Sequence, residues 1–325
     1  MAERVRVAVI GAGAMGSNHI RVYHAMPDAL LVAVADPDDN ALSTAGVRGY
    51  QDYHHLLDEE QIDAVSIAVP ARAHLDVALA CIGRGIATLV EKPIAANVTE
   101  GETLRGAAQR NNVPLMVGHI ERFNPAVCEL KRQLDGRELG RVYQARTRRV
   151  GPFFQRERDV GVIHDLATHD IDVLHYLLNA QVERAQAETQ CRIRTEYEDA
   201  MSGVLRFANG TIAEIEANWL TPAKQRELML LGERGMFALD YVARTLAFYP
   251  HAEGAEGKST PIAVPGAGDE PLRAELESFL RAARGVESPA ITASDGIAAL
   301  RVAEALVEAG RTGQSVHLAE ASPTP

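Results

Sequence analysis

The run Gly11-Ala12-Gly13-Ala14-Met15-Gly16 limits the fold of this chain more than any other feature, because it directly follows a strand-like apolar run at 5–10 and opens a helical one. In a strand–turn–helix unit the first glycine permits the tight turn, the second lets the backbone approach a pyrophosphate, and the third allows close helix packing. The helix N-terminus adds free N–H groups and a partial positive field, which brings Ala14 and Met15 of the first turn into the cofactor-binding set with Gly11, Gly13 and Gly16. Asp36 ends the second strand-like run, twenty residues beyond Gly16. A carboxylate there accepts hydrogen bonds from ribose hydroxyls and repels a 2′-phosphate. The following Pro37-Asp38-Asp39 brings no Arg or Lys to offset that repulsion, so the expected cofactor is NAD rather than NADP.

Over the first 118 residues, short apolar runs at 5–10, 30–35, 64–68, 87–90 and 115–117 alternate with helical stretches at 17–26, 54–57, 73–84 and 99–111. That alternation predicts a parallel sheet covered by helices on both faces. The texture then changes. Helix signals at 125–134 and 165–178 are joined by alternating segments at 141–150, 184–194, 200–207, 211–219, 226–231, 236–240 and 245–249, which read as an open, largely antiparallel sheet. Asn209-Gly210 is the strongest hairpin signal. A Gly, Ala and Pro-rich surface excursion at 251–269, helices at 271–284 and 294–310, and a frayed tail at 320–325 complete the pattern. The expected architecture is α/β: a doubly wound Rossmann domain at 1–118, and an α+β domain at 119–325 for substrate binding and oligomerisation.

Net charge excludes one class of partner. With 33 basic and 44 acidic residues the chain carries −11, which argues against a surface that wraps nucleic acid. No apolar run approaches the ~18 to 20 residues of a membrane span, and Met1-Ala2-Glu3-Arg4 leads into a strand without a signal peptide's apolar region; a cytoplasmic protein is expected. Cys81, Cys128 and Cys191 are odd in number and widely spaced, unlike a disulfide framework or a zinc site, and are expected to be buried thiols.

His164, Asp165, His169, Asp170, Asp172 and His175 crowd one amphipathic stretch. Asp165 lies four residues before His169, so the two share a face if the segment is helical, as do His169 and Asp172 at a spacing of three. The spacing carries no specific zinc signature, and no metal is expected. Oxidation of a carbinol needs a base for the hydroxyl proton as hydride leaves carbon, and imidazole suits that at neutral pH; His169 is the candidate. Lys92 ends a predicted strand on the edge where open α/β sheets bind ligands, and its amine suits polarisation of a substrate hydroxyl. Trp219, at a strand end, reads as a core or interface residue.

Taken together these segments resemble the Gfo/Idh/MocA oxidoreductase family over nearly the whole length. The resemblance rests on the glycine fingerprint, Ala68-Val69-Pro70 with His74, Glu91-Lys92-Pro93, Gly118-His119, and the run from Asp165 to Asp172 containing His169. It implies that Val69, Pro70, His74, Glu91 and Lys92 line the cofactor side and that Lys92 orients substrate over the nicotinamide, with Pro93 often cis. It places Asp165 beside the substrate hydroxyls, makes His169 the acid and base, and implies a homodimer or homotetramer formed through the C-terminal sheet. The lead-in Gly118-His119-Ile120-Glu121-Arg122-Phe123-Asn124-Pro125 looks closer to the family's nucleotide-sugar 3-dehydrogenases, making Arg122 and Asn124 substrate-side candidates. For a UDP-sugar, Arg146, Arg148 and Arg149 offer charge, Phe153 and Phe154 an apolar surface, and Arg156 and Arg158 further reach to an anion. Asp159-Val160-Gly161-Val162-Ile163-His164 departs from the glycine-rich lead of many members. The function so implied is NAD-dependent oxidation of the 3-hydroxyl of UDP-N-acetylglucosamine. The alternatives are an inositol or unactivated monosaccharide dehydrogenase, and a non-catalytic NAD-binding regulator.

Overall fold

The computed structural model describes residues 4–153, 160–193, 196–251 and 257–318. The expected tail at 320–325, and with it Phe154, Arg156, Arg158 and Asp159, lies outside the described residues. The chain divides into two compact units, Met1–Ile120 with Glu270–Ile297, and Glu121–Asp269 with Ala298–Pro325.

In the first unit the described strands form a six-stranded parallel sheet in the order Arg48–Tyr50, Ala29–Ala35, Val5–Ile10, Ala64–Ile67, Ala87–Glu91, Leu115–Gly118. Its central strands are apolar on both faces, with Val7, Ala8, Val9, Val65 and Leu89 fully buried, as helix-covered parallel strands require. Arg48–Tyr50 gave no apolar signal, because only Tyr50 of its three residues is buried. Strand order reverses beside Val5–Ile10, and the crevice at such a switch point is where these sheets receive ligands. The chain returns to this unit late. The segment 270–297, expected within the second domain, instead belongs here. Helix Pro271–Ala283 buries Leu272, Leu276, Phe279 and Leu280. Periodicity shows that such a helix hides a face, but does not show which sheet hides it.

In the second unit the described strands form a nine-stranded sheet that runs Thr260–Ile262, Thr245–Pro250, Gly235–Asp240, Leu220–Gly232, Val142–Pro152, Ile212–Asn218, Ala200–Phe207, Val182–Gln190, Val316–His317. It is mixed: Val142–Pro152 pairs in parallel with Ile212–Asn218 and the other pairs are antiparallel. Gly210 takes φ +88° in the Asn209-Gly210 turn, a conformation that glycine adopts without strain. One face of the sheet carries Ala145, Leu205, Ala213, Ile215, Leu228 and Leu230 into a core shared with Ile171, Leu174, Val302 and Leu306. Trp219 is buried there, edge-on to Phe153 at 5.9 Å. Strand alternation puts Val204 and Ile212 on the other face, where they are exposed.

Two expectations of burial fail. Cys81 is buried, but Cys128 and Cys191 are exposed, since Cys128 falls on the outer side of helix Pro125–Asp135 and Cys191 follows the last residue of a strand. Among the described residues no helix is long and apolar enough to cross a membrane.

Candidate active site

The first unit supplies a dinucleotide cradle. Gly11 has φ +91°, and a Cβ there would lie 2.7 Å from the Ala68 carbonyl; at Gly16 it would lie 1.8 Å from the Gly11 oxygen. Neither position admits a side chain. Gly13 differs, because its Cβ would meet only open space at the start of helix Ala14–Ala25. Gly13 therefore leaves the helix N-terminus open to an approaching pyrophosphate, and the residues present fit NAD. Asp36 is held in register with this loop: its Oδ2 accepts the Ala12 N–H at 2.6 Å and its Oδ1 the Asp38 N–H at 2.9 Å. Its charge is thus fixed beside the glycine turn. NAD is expected to bind at least ~10-fold more tightly than NADP, about 1.4 kcal/mol; equal affinities by calorimetry would remove this role from Asp36.

Lys92 stands at the carboxyl end of Ala87–Glu91, and the Lys92–Pro93 peptide is cis. The residues around it have other tasks than expected. The Glu91 carboxylate turns inward, where Oε1 bonds His19 Nε2 at 3.0 Å and Oε2 accepts the Lys92 N–H at 3.2 Å. A Cβ at Gly118 would come within 3.0 Å of the same carboxylate. Glu91 therefore braces the backbone of Lys92. Glu275 is fully buried, and its carboxylate, Glu91 and His19 bring polar atoms within 4.8 Å of one another. His74 is also a brace. One ring nitrogen lies 2.8 Å from the Pro93 carbonyl and the other 2.9 Å from the Val69 carbonyl, so the ring sits between the Val69-Pro70 turn and the Lys92 turn, and the single N–H of the neutral imidazole donates to one of the two carbonyls. Burial holds its pKa below the usual imidazole range.

Sequence reasoning missed His19 and Glu275. The available signal was a polar residue on the buried stripe of an amphipathic helix: His19 lies among Gly16, Ile20 and Tyr23, and Glu275 among Leu272, Leu276 and Phe279.

In the second unit Asp165 and His169 are half-buried on consecutive turns. Ile163–Ala167 is a π-helix that passes into the α-helix Thr168–Leu178, with the Thr168 N–H reaching the Ile163 carbonyl. π-turns of this kind recur at functional sites. Four residues is a little less than one π turn, so Asp165 and His169 remain on neighbouring faces. Beneath them lies a buried charge network. Arg149 donates to both Asp170 oxygens at 3.0 Å and to Glu121 Oε1 at 2.8 Å. Burial alone would lower the Arg149 pKa, but Asp170 and Glu121 outweigh it and hold the guanidinium well above its ordinary value. Burial likewise opposes the Glu121 charge, and Arg149 outweighs it to keep that carboxyl below the usual range.

Arg122 and Asn124, expected to meet substrate, are built into the fold. Arg122 is buried and makes a two-pronged pair with Asp172 at 2.9 and 2.6 Å. Asn124 caps helix Pro125–Asp135 by accepting the Ala126 N–H, and donates to Glu121 and to the Tyr241 carbonyl. The arginine cluster also divides. Along Val142–Pro152, Ala145, Thr147 and Arg149 face the helix-covered core, while Arg146 and Arg148 project from the opposite face and pair with Glu214 and Glu216. Arg148 is therefore on the face of the sheet away from His169.

Comparison with known proteins decides the family. Residues 5–119 match the oxidoreductase family GFO_IDH_MocA, NAD-binding Rossmann fold, and residues 127–238 match the GFO/IDH/MocA C-terminal domain. Over 99% of its length the chain is 30% identical to inositol 2-dehydrogenase 2 of Saccharopolyspora erythraea, covering 97% of that protein. The chain belongs to the Gfo/Idh/MocA oxidoreductase family. A second relative, UDP-N-acetylglucosamine 3-dehydrogenase of Acidithiobacillus ferrooxidans, is 30% identical over 94% of this chain and 96% of its own. The solved structure of the Acidithiobacillus ferrooxidans enzyme GnnA superposes with a TM-score of 0.86 at 26% identity, covering 96% of this chain and all of that one. As a Gfo/Idh/MocA protein the chain is an NAD-dependent oxidoreductase acting on a hydroxylated substrate.

Proposed function

We propose that this protein oxidises the 3-hydroxyl of a UDP-N-acetylated hexose, with UDP-N-acetylglucosamine as substrate, to the 3-keto sugar. The observation that carries this reading is the superposition on the UDP-N-acetylglucosamine 3-dehydrogenase structure across 96% of the chain. Bound NAD supplies the hydride acceptor. His169 takes the proton of the reacting hydroxyl as the carbon beneath it loses hydride, which leaves a ketone and an imidazolium that returns its proton to solvent. Lys92 carries an amine suited to polarising a substrate hydroxyl and stabilising developing negative charge on it. Asp165 accepts from a neighbouring sugar hydroxyl and fixes the ring. The inward-facing Glu91 and His74 hold the backbone of the Lys92 turn in place.

An inositol dehydrogenase is the second reading, favoured by the 30% identity over 99% of the chain to the Saccharopolyspora enzyme. NADH production from UDP-N-acetylglucosamine, its uronate, free N-acetylglucosamine and inositol separates the two. The nucleotide sugar is expected to have the highest kcat/KM, with the new carbonyl at carbon 3. A higher value for inositol or a free sugar overturns the proposal, and a carbonyl elsewhere overturns its regiochemistry.

A further inference from the structure

Moving Arg146 and Arg148 to the outer face of the sheet leaves open which groups would meet the anionic part of a substrate. The face that carries the catalytic helix has its own cations. Strand Leu220–Gly232 pairs with Val142–Pro152 so that Arg226 stands opposite Arg149, on the same face. Two residues back, Lys224 returns to that face: a Cβ built on Gly151, which shares the parity of Arg149, would touch the Lys224 Cβ and Cγ at 3.8 and 3.9 Å. Going up this strand the inward positions read Leu230, Leu228, Arg226, Lys224, so the apolar core ends in a cationic edge.

Charge is unevenly matched there. Arg149 is engaged by Asp170 and Glu121. Arg226 approaches Glu121 only at 3.8 Å, beyond hydrogen-bond reach, with its side chain about one third exposed at 32%. Three cations thus crowd two buried carboxylates, with Asp165 in electrostatic range of Arg226. The crowding is felt by the cations themselves. Lys224 is held below the usual amine range, first by Arg226 and then by burial, and Arg226 is lowered by burial and by Arg149. An added anion relieves both. Lys224 is exposed, so an anion reaches it without opening the core.

We propose that Lys224 and Arg226 form the oxyanion-binding edge of the substrate site and take a phosphate group of the substrate, on the same sheet face as Asp165 and His169. The assignment rests on the nucleotide-sugar reading, and names the residues that recognise the diphosphate. A charge-assisted contact from each cation orients the phosphate while the sugar lies toward the catalytic helix.

The test is calorimetric titration of the NAD-saturated protein with UDP and, separately, with inorganic pyrophosphate. The wild-type protein is expected to bind both. Lys224→Ala is expected to weaken both about 10-fold, and Lys224→Arg to stay within about threefold of wild type. Raising salt should weaken wild type more than Lys224→Ala, because one screened charge pair is missing from the variant. Arg226→Gln should add a further loss, with the thermal unfolding transition followed by the fluorescence of Trp219, which is buried in the same unit, reporting that each variant is folded. Equal UDP and pyrophosphate affinities for wild type and Lys224→Ala overturn the proposal, as does failure of the wild type to bind either anion. If binding depends on Lys224 but UDP-N-acetylglucosamine is not oxidised, the anion edge stands and the reading of the reaction falls.

Discussion

His169→Ala is expected to lower turnover by roughly 10²-fold or more while NAD affinity stays at the wild-type value. The size of the effect comes from losing a positioned proton acceptor, since solvent must then remove the hydroxyl proton as hydride leaves. NAD binding survives because the glycine turn, Asp36 and the first turn of helix Ala14–Ala25 all belong to the other unit. The α-helix starts at Thr168, whose hydroxyl donates back to the Ile163 and His164 carbonyls and holds this turn from a neighbouring residue. The Thr168 contacts remain in the variant. Single-turnover NADH formation and equilibrium NAD titration on one preparation check both halves. A variant within a few-fold of wild-type turnover on the true substrate assigns the proton transfer to another group, and lost NAD affinity makes the effect structural.

The cofactor cradle was legible in the sequence because its constraints are local. A turn that cannot hold a side chain at Gly11 or Gly16 needs glycine whatever the rest of the chain does, and the carboxylate at the end of the second strand lies within the same βαβ unit. Glu91 is a different case. Its partner His19 and the neighbouring Glu275 come from helices far along the chain in both directions, so nothing near Glu91 showed that its carboxylate would turn inward. The arginines could have been sorted earlier. Side chains alternate along a strand, so Arg146 and Arg148 had to share one face and Arg149 the other, and a cluster of three in sequence was never one cluster in space. The contacts of Arg122 and Asn124 were hidden for a related reason: a polar run at a domain entrance reads as available to a ligand until the fold supplies Asp172, Glu121 and the Tyr241 carbonyl as partners. The late return of 270–297 to the first unit was invisible because amphipathicity names a buried face and not its neighbour.

Arg149→Met tests how far the second unit depends on its buried ions. Methionine keeps much of the length and fills much of the volume, so the change is mainly electrostatic. Arg149 is 1% exposed, and its guanidinium answers Asp170 and Glu121 directly while lying over the Tyr241 ring at 4.8 Å. Breaking a buried ion pair from one side leaves an uncompensated charge and typically costs about 3–5 kcal/mol, whereas replacing all members by apolar groups costs far less. The loss should shrink on acidification. In the wild type Glu121 titrates below its unfolded value, so its contribution is present at neutral pH and fades as pH falls through the folded pKa. In the variant burial acts on Glu121 and Asp170 without Arg149 to oppose it, both carboxyls move upward, and protonation relieves the strain. Denaturant unfolding at pH 7 and near pH 5 is expected to show a large gap between the two proteins that narrows at the lower pH. A gap below about 1 kcal/mol at pH 7 would mean that Arg226, 3.8 Å from Glu121, moves in to replace the missing guanidinium; a gap that widens on acidification would contradict the charge assignment of Glu121 itself.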